Sequence, residues 1–165
     1  MECKSHSHLK SIIPKVRRII VIGDIHGDLN ILIKCLQKTK VIDNKLQWIG
    51  KDTHVVQLGD QLDSFRGFKN PNEEPNDIRI VHFMTQLNEF AVKHGGAVYS
   101  ILGNHEIMNV IGDFRYTSVV NIRAFYGGKN FMTSLNKRKL FFGRGGKFAK
   151  YLSSFITIEL SCLRE

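Results

Sequence analysis

The sequence predicts an α/β fold in which parallel strands are joined by helices. Three short apolar segments, at residues 17–22, 53–58 and 97–102, have the length of buried strands. Segments with helical periodicity fill the two intervals between them. This strand–helix order is typical of parallel pairing with right-handed crossovers. Each strand also ends in a glycine that is followed by polar residues.

Both intervening helices have identifiable limits. Asp28 is expected to cap the first helix, which should run to about Thr39. The second is expected over residues 78–93, where the glycine pair at 95–96 would end it. Its predicted apolar stripe consists of Ile80, Phe83, Met84, Leu87, Phe90 and Ala91.

The remaining segments of the first hundred residues give weaker signals. Residues 45–50, KLQWIG, favour an edge strand or a hairpin. Residues 66–77 contain two prolines and three asparagines, and they favour a loop.

Composition favours one globular domain. The chain has 165 residues, of which 42% are hydrophobic and 24% are charged. We expect a basic flexible arm over residues 1–16 and a single domain over 17–165. No apolar run is long enough to span a membrane, and no secretory-type segment follows the basic start. The three cysteines lack the spacing of a disulfide framework or a zinc site, which favours the cytoplasm.

The net charge of +9 is unevenly distributed. Residues 19–114 contain 9 basic and 12 acidic side chains, whereas residues 115–150 contain nine Lys and Arg and no acid. This basic block (residues 115–150) can face phosphates, nucleic acid or an acidic partner, and the alternative is a solvated basic surface.

Polar side chains with metal-binding capacity follow each predicted strand. Asp24 and His26 are two residues apart, so on an extended chain they lie on one face. Because the carboxyl ends of parallel strands meet at one edge, Asp24, His26, Asp60 and Asn104 should converge there. Oxygen and nitrogen ligands without a thiolate suit Mn, Fe or Zn better than Mg, and they do not suit copper or a structural zinc.

Three motifs in order resemble the calcineurin-like metallophosphoesterase family. They are GDIHG at 23–27, GDQLD at 59–63 and GNHE at 103–106. Within the family they are most similar to the serine/threonine phosphoprotein phosphatase branch and its bacterial and viral relatives. The resemblance covers residues 17 to about 152. It implies a metallophosphoesterase sandwich, of which this chain has the N-terminal portion, and hydrolysis of phosphoserine or phosphothreonine in proteins without a phosphoenzyme.

The resemblance also implies a role for each motif residue. Asp24 and His26 hold one of two divalent ions, Asp60 bridges both ions, and Asn104 holds the other. His105 protonates the leaving alkoxide, and Asp63 orients His105. Glu106 is expected to fix the GNHE loop by hydrogen bonds rather than to bind metal.

Two departures from the family pattern change these expectations. The family has an arginine directly after the second Asp of its second motif, but here Ser64 stands there. Arg66 is therefore the candidate for binding the substrate phosphate. The family also supplies two later histidines to the second ion, whereas all seven histidines here lie at or before residue 105. We therefore expect an incomplete second metal site in a C-terminally truncated domain, whose missing strands would begin near residues 155–160.

Two alternatives remain open at this point. The nucleotide-cleaving branch of the same superfamily, which includes dinucleoside polyphosphatases, shares these motifs. A catalytically impaired remnant could instead use the basic block, with ten aromatic residues between 114 and 155, to bind nucleic acid or an acidic partner. The expected partners are otherwise a phosphorylated protein or a small phosphoester, and no membrane.

Overall fold

Three parallel strands form the central sheet. They are β1 (Ile19–Ile22), β2 (His54–Gln57) and β3 (Ala97–Ser100), paired in the order β1-β2-β3. The computed structural model describes residues 15–65, 72–126 and 130–152. The predicted α/β class and parallel pairing are confirmed, and each strand is two residues shorter than its apolar segment.

Helices make up most of the rest of the described chain. Two of them join the strands, α1 (Leu29–Lys38) and α2 (Asp77–Lys93). The helices after β3 are α3 (Asn104–Ile111), α4 (Val119–Arg123), a 3₁₀ turn (Ala124–Tyr126), α5 (Phe131–Phe142) and α6 (Lys147–Leu152). None of the described helices has the length and apolar content needed to cross a bilayer.

The main core lies between the sheet and helices α1 and α2. Since both crossovers run in the same direction, both helices cover the same face. Leu32 and Leu36 of α1 and Ile80 of α2 are fully buried there, together with Val55 of β2. On the opposite face of edge strand β1, Ile19 and Val21 are 58% and 59% exposed.

The start of α1 follows from local chemistry. Asp28 accepts a hydrogen bond from the Ile31 N–H (2.9 Å), which confirms its predicted capping role. The predicted second helix is also confirmed, but the inclusion of Phe90 in its buried stripe is wrong. Phe90 lies beyond the edge of the stripe, 53% exposed, and Lys93 Nζ is 5.6 Å from its ring centroid.

Residues 45–50 form no strand. A single antiparallel bridge joins Ile42 to Trp48, so the segment is a hairpin-like turn after α1. The Trp48 indole is buried and donates a hydrogen bond to the Lys51 carbonyl (3.1 Å).

A second, largely aromatic cluster packs the helices that follow β3 against α2. Its buried members are Leu62, Val81, Phe142, Phe148 and Leu152. The predictions that concern residues 1–14, Arg66 and residues 155–160 lie outside the described residues.

We expect Leu36→Ala to lower the free energy of unfolding by about 2–5 kcal/mol, because Leu36 is fully buried and its removal leaves a cavity in the main core. Urea denaturation measures the change. The matched control on α1 is Ile31→Ala at a 52% exposed position, where the loss should be below about 0.5 kcal/mol. Equal losses at the two positions would contradict this packing.

Candidate metal centre

The motif residues meet at the carboxyl end of the sheet. Asp24 and His26 lie in the loop after β1, and Asp60 lies in the loop after β2. Asn104 and His105 occupy the first turn of α3, so they are helical residues rather than the end of a strand.

Backbone hydrogen bonds attach the loop after β1 to the loop after β2. The N–H groups of Ile25 and His26 both donate to the Asp60 carbonyl (3.0 and 2.9 Å), and the Gly27 N–H donates to the Gln61 carbonyl (2.9 Å). The relative position of His26 and Asp60 is therefore set by the main chain.

The segments that follow β2 and β3 approach each other so closely that they require glycine at residues 59 and 103. A Cβ on Gly103 would lie 2.1 Å from Asp60 Oδ1, and a Cβ on Gly59 would lie 2.3 Å from the Gly103 nitrogen. Gly59 also has φ +95°, a conformation that side chains disfavour. These contacts explain the glycines that precede Asp60 and Asn104.

Glu106 is the buried acceptor that holds these two loops together. Its Oε2 accepts from the N–H groups of Asp60 and Gly103 (both 2.8 Å). Its Oε1 accepts from those of Gln61 (2.9 Å) and Leu62 (3.3 Å). Burial raises the pKa of Glu106, and the backbone donors oppose that shift. The expectation that Glu106 fixes the GNHE loop by hydrogen bonds is confirmed.

His105 and Asp63 form a buried pair. His105 Nδ1 is 3.0 Å from Asp63 Oδ2, and the two side chains are 10% and 0% exposed. An ionised carboxylate can only accept, so the pair holds the proton on Nδ1 and leaves Nε2 as the second functional nitrogen. Asp63 also accepts from Thr117 Oγ1 (2.6 Å) and Asn109 Nδ2 (2.9 Å).

Three of these side chains could hold one metal ion. Potential ligand atoms of His26, Asp60 and His105 lie within 4.8 Å of one another. Among the residues that the structure describes, this is the one such group of at least three His, Cys, Asp or Glu side chains. Two imidazoles and a carboxylate suit Zn, Mn or Fe, so the donor set fits a divalent metal. His105, for which the family resemblance implies proton transfer, thus also lies within reach of a bound ion.

The other two predicted ligands, Asp24 and Asn104, are exposed. Asp24 Oδ2 is 3.6 Å from His26 Nε2, which shows the pairing that their two-residue spacing predicted. The Asn104 amide nitrogen lies 4.0 Å from Met108 Sδ on the surface of α3.

Three residues of the site adopt an uncommon backbone conformation. His26, Asp60 and Asp63 have φ values of 47°, 52° and 68°, although none of them is glycine. Left-handed backbone is rare for side-chain-bearing residues, and Asp and His are among those that tolerate it best.

Sequence reasoning missed the residues that surround the His105–Asp63 pair. Asn109 is four positions after His105, so helical spacing alone could have indicated it. Thr117 and Arg138 have no local signal, because they approach Asp63 from distant helical and loop segments. The ring of Tyr116 lies 5.1 Å from that of His105.

The basic block is mainly a solvated surface. All of its described Lys and Arg side chains are exposed except Arg138, which is fully buried. Several aromatic residues of this region pack on one another, with the rings of Phe142 and Phe148 4.3 Å apart. Those rings are buried in the second, largely aromatic cluster and are not free to stack on bases.

Residues 17–162 match the family described as "Calcineurin-like phosphoesterase". Shewanella-like protein phosphatase 2 of Arabidopsis thaliana is 37% identical over 117 residues, which are 71% of this chain and 28% of that protein. Shewanella-like protein phosphatase 1 of Plasmodium berghei is 38% identical over 109 residues, which are 66% of this chain and 28% of that protein. The chain thus spans less than a third of the length of these curated relatives.

One similar solved structure is the cold-active protein-tyrosine phosphatase of a psychrophilic Shewanella species. It superposes with a TM-score of 0.66 at 29% identity, and the match covers 87% of this chain and 40% of that chain.

We expect Glu106→Gln to lower the free energy of unfolding by about 1–3 kcal/mol, because one amide nitrogen must then face two backbone N–H donors. Chemical denaturation measures the loss. The matched control is the exposed Glu89 of α2, where Glu89→Gln should cost less than about 0.5 kcal/mol. Unchanged stability of Glu106→Gln would show that these hydrogen bonds do not hold the loops.

Proposed function

This chain belongs to the calcineurin-like phosphoesterase family, and we propose that it hydrolyses phosphomonoesters, with phosphoserine and phosphothreonine in proteins as the substrate class. The observation that carries the proposal is the buried His105–Asp63 pair, which lies beside His26 and Asp60 at the carboxyl end of the sheet. Two relatives that bear the name protein phosphatase support the choice of a protein substrate.

We assign the metal ligands from the motifs. Of the observed cluster, His26 and Asp60 are kept as ligands, and His105 is given the proton-transfer role instead. Asp24, His26 and Asp60 would hold one divalent ion, Mn, Fe or Zn, and Asp60 with Asn104 would provide fewer ligands to a second. A divalent ion in such a site polarises a phosphoryl oxygen and lowers the pKa of water. Backbone hydrogen bonds already fix His26 and Asp60, so the chain orients these donors itself.

The proposed task of His105 is to donate a proton from Nε2 to the leaving oxygen. Asp63 keeps the other ring nitrogen protonated and prevents the ring from turning. A serine or threonine alkoxide is a strongly basic leaving group, so it gains most from a positioned acid. This is why the pair favours phosphoserine and phosphothreonine.

A specific observation favours phosphotyrosine as a second candidate substrate. The Tyr116 ring is 42% exposed and lies 5.1 Å from the His105 ring, where an aromatic leaving group could pack on it. The solved Shewanella relative is titled a protein-tyrosine phosphatase. Initial rates on matched phosphoserine and phosphotyrosine peptides separate the two candidates.

We expect His26→Ala to weaken the binding of one divalent ion by more than about 100-fold, since even residues that only support metal ligands contribute 10–100-fold. Isothermal calorimetry with Mn²⁺ and Zn²⁺ measures the affinity. The control is His82→Ala at an exposed position of α2, which should bind metal as the unmodified chain does. Equal affinity of the His26 variant and the unmodified chain would remove His26 from the ligand set.

We expect His105→Ala to slow Mn²⁺-dependent hydrolysis of a phosphoserine peptide by about 10²–10⁴-fold, because the alkoxide then leaves without a positioned acid. Hydrolysis of p-nitrophenyl phosphate should fall far less, since nitrophenolate is a weakly basic leaving group. Metal content, measured by atomic emission, should not change. Equal loss of both activities, or loss of an ion, would make His105 a metal ligand or a structural residue instead.

A further inference from the structure

We propose that Arg138 is a positioning residue for the His105–Asp63 pair and that it acts through the side-chain amide of Asn109. The catalytic meaning of this arrangement rests on the proposed function. The chain of hydrogen bonds itself is a property of the fold.

Arg138 is a cation held entirely inside the protein. Its Nη2 donates to Asp77 Oδ2 (2.8 Å) and to Asn109 Oδ1 (2.7 Å), and its Nε donates to the same Asn109 oxygen (3.2 Å). The guanidinium carbon lies 4.3 Å from the centroid of the Phe142 ring. A buried charge is costly unless it is paired, so these contacts fix the guanidinium in one place.

The guanidinium decides which way the Asn109 amide points. Arginine offers only donors, so the Asn109 atom that faces Arg138 must be the carbonyl oxygen. The amide nitrogen is thereby directed to Asp63 Oδ2 (2.9 Å) and to the His105 carbonyl (2.9 Å). The opposite orientation would set an NH₂ group against the guanidinium and an oxygen against the carboxylate, and both contacts are repulsive.

This orientation holds the carboxylate that His105 needs. Asp63 Oδ2 accepts from both Asn109 and His105 Nδ1, while its Oδ1 accepts from Thr117. Asp77, the ion partner of Arg138, also accepts from the Asp63 N–H (3.2 Å). Burial raises the pKa of Asp77, and the charge of Arg138 opposes that shift. Arg138 therefore reaches Asp63 by three routes. Its Nη2 lies 3.8 Å from Asp63 Oδ1, its partner Asn109 donates to Asp63 Oδ2, and its partner Asp77 accepts from the Asp63 N–H.

The test reads the tautomer of His105 directly. ¹⁵N NMR of the full chain, with chelator in all samples and at a pH above the imidazole titration, gives the ratio of Nδ1–H to Nε2–H forms. The unmodified chain should hold mainly the Nδ1–H form. Arg138→Met should lower that ratio by about fivefold, the effect of weakening one hydrogen bond. The control Lys139→Met, at the exposed neighbouring position of α5, should leave it unchanged.

Two further variants keep the test decisive. Asn109→Leu removes the amide but leaves the Arg138–Asp77 pair, and it should lower the ratio as Arg138→Met does. If Arg138→Met does not fold, Asn109→Leu decides alone. Arg138→Lys keeps a charge that only donates, so it should lower the ratio less than Arg138→Met does. An unchanged ratio in folded Arg138→Met or in Asn109→Leu would overturn the proposal. The readout needs no turnover, so an inactive unmodified chain would overturn only the proposed function.

Discussion

The buried carboxylate of Glu106 gathers the main-chain N–H groups of two loops at the end of the sheet. Without it, donors at Asp60, Gln61 and Leu62 would face a packed interior with no acceptor, which is costly in any fold. The carbonyl of Asp60 is meanwhile held by the loop after β1. Asp60 is thus fixed from both sides by its backbone.

The parts of the structure that local patterns encode could be predicted from the sequence. The strands, α1 and α2 follow from apolar runs, helical periodicity and a capping aspartate, and the convergence of Asp60 with His26 follows from parallel pairing. The start of α3 at Asn104 could not be predicted, because the apolar run over 97–102 does not show where β3 ends. The surroundings of Asp63 were also missed. Thr117 and Arg138 lie more than fifty residues away along the chain, and contacts of that kind leave no local pattern.

The two cores support different halves of the site. The main core, under the sheet, carries the strand ends that present His26 and Asp60. The largely aromatic cluster packs against α5 and so positions the buried guanidinium of Arg138 near the His105–Asp63 pair. Composition marks residues 115–150 only as basic, and it cannot distinguish the buried Arg138 from the exposed Lys and Arg side chains that the structure describes there. Burial gives that residue a different role from the rest of the block.

The positive φ values of His26, Asp60 and Asp63 are unfavourable for folding, although the site uses the side chains of these residues. Each such conformation costs on the order of 1 kcal/mol, and glycine or asparagine would relieve much of it. Selection for thermal stability alone would therefore favour replacing these three residues by glycine or asparagine, which would remove the side chains of the site. In a lineage that no longer used the site, they would be among the first residues to drift, so their retention across a set of orthologues would be a record of continued use.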